Sequence, residues 1–213
     1  MQPQLFTTAE EAIFDLTDGA TIMIGGQGGA GVPQRLLQAL TGRGTAGLTL
    51  VCEADDPHVM TLVKSGAVSR VVCPPLGEIG WTEAKGAGVE VEPLPSGLLA
   101  ERIRAAGAGI GAFLAPSHVD EQVDTGEERQ ELDGQLYVVE APLRADFALL
   151  RAHKADTLGN LVYGGSARNW NPIMATAATT VVVDVDEIVE AGDLDPEAVI
   201  TPGIFLDRIV CIP

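Results

Sequence analysis

Several features are scarce in this 213-residue chain, and each scarcity excludes a class of protein. The three cysteines (Cys52, Cys73 and Cys211) stand far apart, which excludes a disulfide scaffold and a cysteine-rich metal motif and suits a reducing cytoplasm. No apolar run approaches 18 residues, so no membrane span is expected. The N-terminus lacks a basic segment followed by an apolar core, so no signal peptide is expected and a cytoplasmic location is predicted.

Basic residues are also few: 13 Lys and Arg stand against 30 Asp and Glu, and the formal net charge is −17. This balance argues against nucleic acid and against anionic membranes as partners. It also means that an anionic ligand, such as a nucleotide or a coenzyme, needs backbone donors, a local basic patch or a second polypeptide.

Side chains with obvious catalytic or metal-binding patterns are missing too. The three histidines show no ligand spacing between them and no neighbouring cysteine, which argues against a metal site (His58, His118 and His153). No Gly-x-Ser-x-Gly elbow is present. The residues alone therefore indicate no nucleophile and no acid–base pair.

Apolar residues make up 46% of the chain, which predicts a globular protein, and their pattern predicts its class. Predicted strands at 20–24, 48–52 and 70–73 alternate with amphipathic helices up to about residue 115. This predicts one α/β domain over residues 1–213, with three α/β/α layers around a mostly parallel sheet. Turn signals at 133–134 and 157–160 predict hairpins, and we expect the hairpins of residues 120–165 at one edge of the sheet or at a subunit interface.

The segment "IMIGGQGGAG" contains five glycines between a predicted strand and a predicted helix. Its spacing Gly26-x-Gly28-x-x-Gly31 matches a dinucleotide-binding turn, and Glu53 stands about where a ribose-binding acid follows. Two further glycines, a short following helix and the lack of a hydride-transfer acid or base count against this interpretation. An NAD-binding oxidoreductase therefore remains an alternative to a loop whose backbone N–H groups face some other ligand.

Four segments that span nearly the whole chain in order carry a family resemblance. They are "DGATIMIGGQGGAGVP" (18–33), "GLLAERIRAAGAGIGAFLAP" (97–116), "ADFALLRAHKADTLGNLVYGGSARNWNPIMATAA" (145–178) and "LDPEAVITPGIFLDRIV" (194–210). With them the chain resembles the A (alpha) subunit of family I coenzyme A transferases, the 3-oxoacid and 3-oxoadipate transferase group. The resemblance implies the CoA-transferase (NagB/RpiA-like) fold.

The resemblance also implies a mechanism. In this family a glutamate attacks an acyl-CoA such as succinyl-CoA or acetyl-CoA, becomes a glutamyl-CoA thioester, and passes the CoA to a carboxylic or 3-oxo acid. That glutamate lies in a Ser-Glu-Asn-Gly-like motif of the B subunit, and no such motif occurs here. The implied protein is therefore the alpha subunit of a heterodimer or an α2β2 enzyme, with no catalytic residue, bound cofactor or metal of its own, and with a coenzyme A thioester as substrate.

The resemblance further implies which residues bind CoA and the acid substrate: Gly25, Gly26, Gln27, Gly28, Gly29, Ala30, Gly31, Glu53, Ala54, Ser96 and Gly97. Three of these positions depart from the family pattern, which has phenylalanine at Gln27, an Asn-Asn pair at residues 53–54 and Gln-Gly-Thr at residues 96–98. The departures lie on the acid-substrate side and predict an altered acid substrate or an altered reaction. The alternatives are a CoA-transferase-like hydrolase and a non-catalytic relative that binds an acyl-CoA or a sugar phosphate.

Overall fold

Strands and helices alternate along the first half of the chain, as the sequence pattern predicts. The structure, a computed structural model, describes residues 2–53, 56–75, 84, 86–116 and 128–211. Its strands are β1 (Gln4–Phe6), β2 (Thr21–Ile24), β3 (Leu48–Val51), β4 (Val68–Cys73), β5 (Glu90–Pro93), β6 (Phe113–Pro116), β7 (Arg129–Leu132), β8 (Gln135–Glu140), β9 (Ala145–Asp156), β10 (Leu161–Val162), β11 (Ala178–Val189) and β12 (Arg208–Cys211). Its α-helices are α1 (Ala9–Ala12), α2 (Gln34–Arg43), α3 (Pro57–Lys64), α4 (Ser96–Gly107) and α5 (Asn171–Met174).

The main sheet has the strand order β1-β12-β11-β9-β2-β3-β4-β5, and all of these neighbours pair in parallel. The short strand β10 folds back antiparallel on the end of β9, which confirms the turn predicted at residues 157–160. Strands β6, β8 and β7 form a separate antiparallel sheet. Its hairpin turns at Asp133 and Gly134, both with positive φ, as the Asp-Gly signal predicts.

Side chains that alternate along the parallel strands enter two different cores. Ile22 and Ile24 of β2 join the core beneath α1, α2 and α3, whereas Met23 joins the core beneath α4 and α5. Both cores consist almost entirely of aliphatic residues that are less than a tenth exposed. The sheet is therefore covered by helices on both faces, which confirms the predicted three-layer arrangement.

The expectation that the hairpins of residues 120–165 lie at an edge of the sheet is wrong for β9. This 12-residue strand lies in the middle of the main sheet, between β2 and β11. Its four consecutive residues 147–150 are all buried, because helices cover both faces of a parallel strand. The hairpin of β7 and β8 lies outside the main sheet, so only the first half of the predicted hairpin region is peripheral.

The direction of strand order reverses between β2 and β9. The chain leaves β2 through α2 toward β3 on one side, and leaves β9 through α5 toward β11 on the other. Ligands of open parallel sheets bind at such a switch point, outside the carboxyl ends of the strands. The glycine-rich segment begins at Gly25, directly after β2, and therefore lies at this position. Within the described part of the chain, no helix is long and apolar enough to cross a bilayer.

Candidate functional site

The glycine loop ends in a two-residue hairpin turn. Gln27 and Ala30 exchange both of their backbone hydrogen bonds, each with a nitrogen–oxygen distance of 3.0 Å. Between them, Gly28 and Gly29 have φ angles of +57° and +82°, which is typical of a type I′ turn. The loop therefore projects from the carboxyl end of β2 as a small hairpin instead of running directly into α2.

The tip of this turn is open. No atom of the described residues lies within 4 Å of the position that a Cβ would take at Gly28 or at Gly29. No acceptor in the described part of the chain receives the N–H group of either residue. The turn thus presents two backbone donors that an oxygen atom of a ligand can approach closely.

The base of the loop is packed so tightly that only glycine fits. A Cβ at Gly25 would lie 1.9 Å from Oδ1 of Asn171, and one at Gly31 would lie 2.8 Å from Nδ2 of the same residue. A Cβ at Gly26 would lie 2.4 Å from Cγ2 of Val32. The glycines of the loop therefore serve two purposes: those at the base permit packing, and those at the tip permit positive φ and close approach.

Three successive residues, Asn169, Trp170 and Asn171, hold the loop. Nδ2 of Asn169 donates to the carbonyl of Ala30 at 2.9 Å, and Nδ2 of Asn171 donates to the carbonyl of Gly31 at 3.1 Å. Asn171 is fully buried, and its Oδ1 accepts the backbone N–H of residue 151 at 3.0 Å. The sequence pattern indicates Asn171 only as the start of a helix. Two amides that flank a tryptophan just after a strand pair are the signal that could have identified this brace.

Two of the predicted site residues, Gln27 and Glu53, are brought together by the fold. Oε1 of Glu53 accepts hydrogen bonds from Nε2 of Gln27 and from Nε1 of Trp170, both at 3.2 Å. Trp170 is 7% exposed and lies between the two asparagines of the brace. Sequence reasoning misses Trp170, because its hydrogen bond spans 117 residues of sequence.

The remaining predicted site residues lie apart from this cluster or outside the described residues. Ser96 and Gly97 are exposed at the start of α4, which follows β5. They share the carboxyl edge of the sheet with the glycine loop, but β2 and β5 are three strand spacings apart, about 14 Å. No hydrogen bond joins them to the loop within the described part of the chain. Ala54 lies outside the described residues.

A cavity of about 220 Å³ lies between the glycine turn and the start of α2, and Arg35, Arg151 and Asp184 are among its lining residues. Both arginines contact the buried carboxylate of Asp184, Arg35 at 2.7 Å and Arg151 at 3.1 Å. Burial raises the pKa of Asp184, while the two arginines act in the opposite direction. Arg151 also pairs with Asp186, so the cations of this cavity are balanced by carboxylates of the same chain.

Comparison with known proteins assigns this architecture to a family. The family model of coenzyme A transferase matches residues 6–211. The chain belongs to the coenzyme A transferase family. The first of two curated relatives, the A component of 3-oxoadipate CoA-transferase from Pseudomonas putida, is 44% identical over 214 residues, which cover 97% of this chain and 93% of that protein. The alpha subunit of acetate CoA-transferase from Escherichia coli K12 is 43% identical over 209 residues, which cover 95% of this chain and 94% of that protein.

Solved structures of low sequence identity share the fold of this coenzyme A transferase chain. Glutaconate coenzyme A-transferase from Acidaminococcus fermentans has a TM-score of 0.83 at 18% identity, covering 99% of this chain and 76% of that one. An acyl-CoA transferase of Escherichia coli O157:H7 has a TM-score of 0.84 at 21% identity, and this chain spans 47% of its length. The dinucleotide-binding alternative is not retained, because family and fold both belong to CoA-transferases.

The thiols at the site of this coenzyme A transferase chain are not nucleophiles. Cys52 ends the segment before Glu53, and burial raises the pKa of its thiol well above the ordinary value. Cys73, which ends β4, is also fully buried. A thiol attacks as the thiolate, which burial disfavours. In the described ranges, no three His, Cys, Asp or Glu side chains are placed to hold a metal ion.

Proposed function

We propose that this chain is the alpha subunit of a CoA-transferase that moves CoA from an acyl-CoA, such as succinyl-CoA or acetyl-CoA, to a carboxylic or 3-oxo acid. The observation that carries the proposal is the open glycine turn at the switch point of a CoA-transferase fold, with the N–H groups of Gly28 and Gly29 facing outward. The near-full-length similarity to chains that form one of two components of such enzymes supports the same division of the enzyme.

The B subunit supplies the reactive glutamate in this proposal. Its carboxylate attacks the thioester carbonyl, the carbonyl oxygen becomes an oxyanion, and CoA leaves as a thiolate from the resulting acyl-glutamyl anhydride. The thiolate then attacks the glutamyl carbonyl, which releases the first acid and leaves a glutamyl-CoA thioester for the second acid. Backbone donors placed where negative charge develops stabilise such steps, and the turn of Gly28 and Gly29 offers two of them.

The charge of the chain favours binding of the CoA phosphates largely by the partner. The net charge is −17, and Arg35 and Arg151, which line the cavity behind the turn, are engaged with Asp184. We therefore propose a cytoplasmic heterodimer, or an α2β2 tetramer, in which this chain positions the acyl group and the acid. No bound cofactor or metal takes part; the coenzyme A thioester is a substrate.

The first prediction concerns dependence on the partner. The purified chain alone should transfer no CoA, whereas the chain assembled with its B subunit should transfer CoA from succinyl-CoA or acetyl-CoA to a carboxylic acid. Quenching the reaction and mapping the thioester by mass spectrometry should place it on the B subunit. Transfer by the single chain, or a thioester on a glutamate of this chain, would refute the proposal. Release of free CoA without an acid acceptor would identify a hydrolase instead.

The second prediction concerns Gln27. Gln27→Phe removes one of the two donors that hold Glu53, and phenylalanine is the residue of the family pattern that the chain resembles. We expect kcat/KM for the native acid to fall about tenfold, which corresponds to about 1.4 kcal/mol, and to fall much less for acetate. Steady-state kinetics over a panel of acids measures this. An unchanged order of preference would mean that Gln27 has no part in substrate selection.

A further inference from the structure

Glu53 is held at the site in an unusual way. Both of its described donors, Nε2 of Gln27 and Nε1 of Trp170, bind the same carboxylate oxygen, Oε1. Oε2 has no hydrogen-bond donor among the described residues. A carboxylate has about four acceptor positions, so one oxygen of a well-placed Glu53 is left to accept from a bound molecule.

The two groups that hold Glu53 are uncharged. The amide of Gln27 and the indole of Trp170 orient the carboxylate without neutralising it, and no Arg, Lys or His of the described part pairs with it. Other carboxylates near the cavity differ, because Asp184 and Asp186 both meet Arg151. Glu53 is therefore a positioned carboxylate without a cation from the described part of the chain.

The geometry also connects Glu53 to the open turn. Gln27, which donates to Glu53 through its side chain, is the first residue of the turn that exposes the N–H groups of Gly28 and Gly29. Trp170, which donates from the other side, is flanked by the asparagines that bind the carbonyls of residues 30 and 31. The carboxylate and the two backbone donors thus belong to one braced unit.

We propose that Glu53 is a specificity-determining residue that selects acids bearing a hydroxyl or ammonium group and disfavours acids with a second carboxylate. This inference rests on the proposed CoA-transferase function. Oε2 accepts the hydrogen bond of the substrate's donor group, while the reacting carbonyl oxygen faces the N–H groups of Gly28 and Gly29. A second carboxylate at the same place meets a like charge that no described cation offsets, whereas an unsubstituted acid leaves the acceptor unpaired.

Gln27 and Trp170 are positioning residues in this arrangement, since they act through Glu53. Trp170→Phe removes the indole N–H but keeps an aromatic ring in the buried position. We expect it to raise KM for a hydroxy acid severalfold with little change in kcat, and to change KM for the unsubstituted acid much less. A role limited to packing would instead affect both acids alike.

The test uses the enzyme assembled from this chain and its B subunit, with kcat/KM measured for butyrate, 3-hydroxybutyrate, 3-aminobutyrate and succinate. For the wild type, at least one of the two donor-bearing acids should exceed butyrate at least tenfold, and succinate should be the poorest substrate. Glu53→Gln keeps the shape and a carbonyl acceptor but removes the charge, so it should improve succinate relative to butyrate at least tenfold. Glu53→Leu removes the acceptor as well, so it should abolish the preference for the donor-bearing acids.

The outcomes separate this inference from the proposed function. Lack of transfer to every acid tested, with an assembled enzyme, would count against the function itself. Transfer with a substrate order that neither Glu53→Gln nor Glu53→Leu alters would overturn the role of Glu53 and leave the function standing. Should Glu53→Leu fail to assemble, the nearly isosteric Glu53→Gln decides alone, because an unchanged ratio of succinate to butyrate contradicts the proposal.

Discussion

Gly28→Val is expected to lower the turnover of the assembled enzyme about a hundredfold, the effect of losing one oxyanion donor. Gly28 has a φ of +57°, and a β-branched residue resists this conformation. No described atom lies within 4 Å of the new Cβ, so the side chain fits within the chain's own structure. Its methyl groups would occupy the space through which a ligand oxygen reaches the N–H groups of the turn. The measurement is kcat with saturating acyl-CoA and acid.

Gly44→Val provides a matched control for Gly28→Val. Gly44 also has positive φ, +75°, and open space around its Cβ position, but it ends α2 at the far side from the turn, about 15 Å along a ten-residue helix. Both variants should lose similar stability, and only Gly28→Val should lose turnover. If a folded and assembled Gly28→Val enzyme has normal kinetics, the turn does not contact the reacting groups. If both variants lose turnover in proportion to stability, the glycine has only a conformational role.

Gly25→Ala is expected to lower the free energy of unfolding by about 3 kcal/mol or more. The added Cβ would lie 1.9 Å from Oδ1 of Asn171, so the asparagine side chain must leave its position. Its departure removes the partners of the Arg151 N–H and of the Gly31 and Ala167 carbonyls, and each such buried polar group costs about 1 kcal/mol or more when unpaired. Urea denaturation followed by circular dichroism measures the loss.

Two comparisons isolate the cause in Gly25→Ala. Gly28→Ala introduces the same methyl group into open space at positive φ, so it should cost only about 1–2 kcal/mol. Asn171→Ala should be strongly destabilising alone, and the double variant Gly25→Ala with Asn171→Ala should be less destabilised than the sum of the two, because the clash is gone. Additive effects, or a Gly25→Ala loss no larger than that of Gly28→Ala, would contradict the proposed packing role.

Local signals predicted the elements that depend on near neighbours in sequence. Asp56 caps α3 by accepting the N–H of His58 at 2.8 Å, and Thr8 caps α1 by accepting the N–H of Glu11, as their positions before apolar runs indicate. Helix ends were less accurate. The helix expected from residue 171 to about residue 178 ends at 174, because the residues from 178 onward pair with β9. Such pairing is a long-range contact that overrides local helical preference.

The site followed the same division. The glycine loop and Glu53 are identifiable from sequence, since glycine spacing and a carboxylate after a strand are local patterns. Trp170 and the two neighbouring asparagines are not, because their partners lie more than 100 residues away in the chain. The bond between Gln27 and Glu53 spans 26 residues and also depends on which strands are neighbours.

The sequence by itself determined the alternation of strands and helices, the burial of both faces of the sheet and the need for glycine at a turn after β2, because these follow from hydrophobic period and backbone sterics within a few residues. Only the tertiary structure decided that β9 enters the middle of the sheet beside β2. It alone showed that Gly25 is required by packing whereas Gly28 is required by conformation, and that Glu53 is held by Trp170. Strand order and side-chain contacts between distant segments arise from the packing of the whole core, which no local pattern encodes.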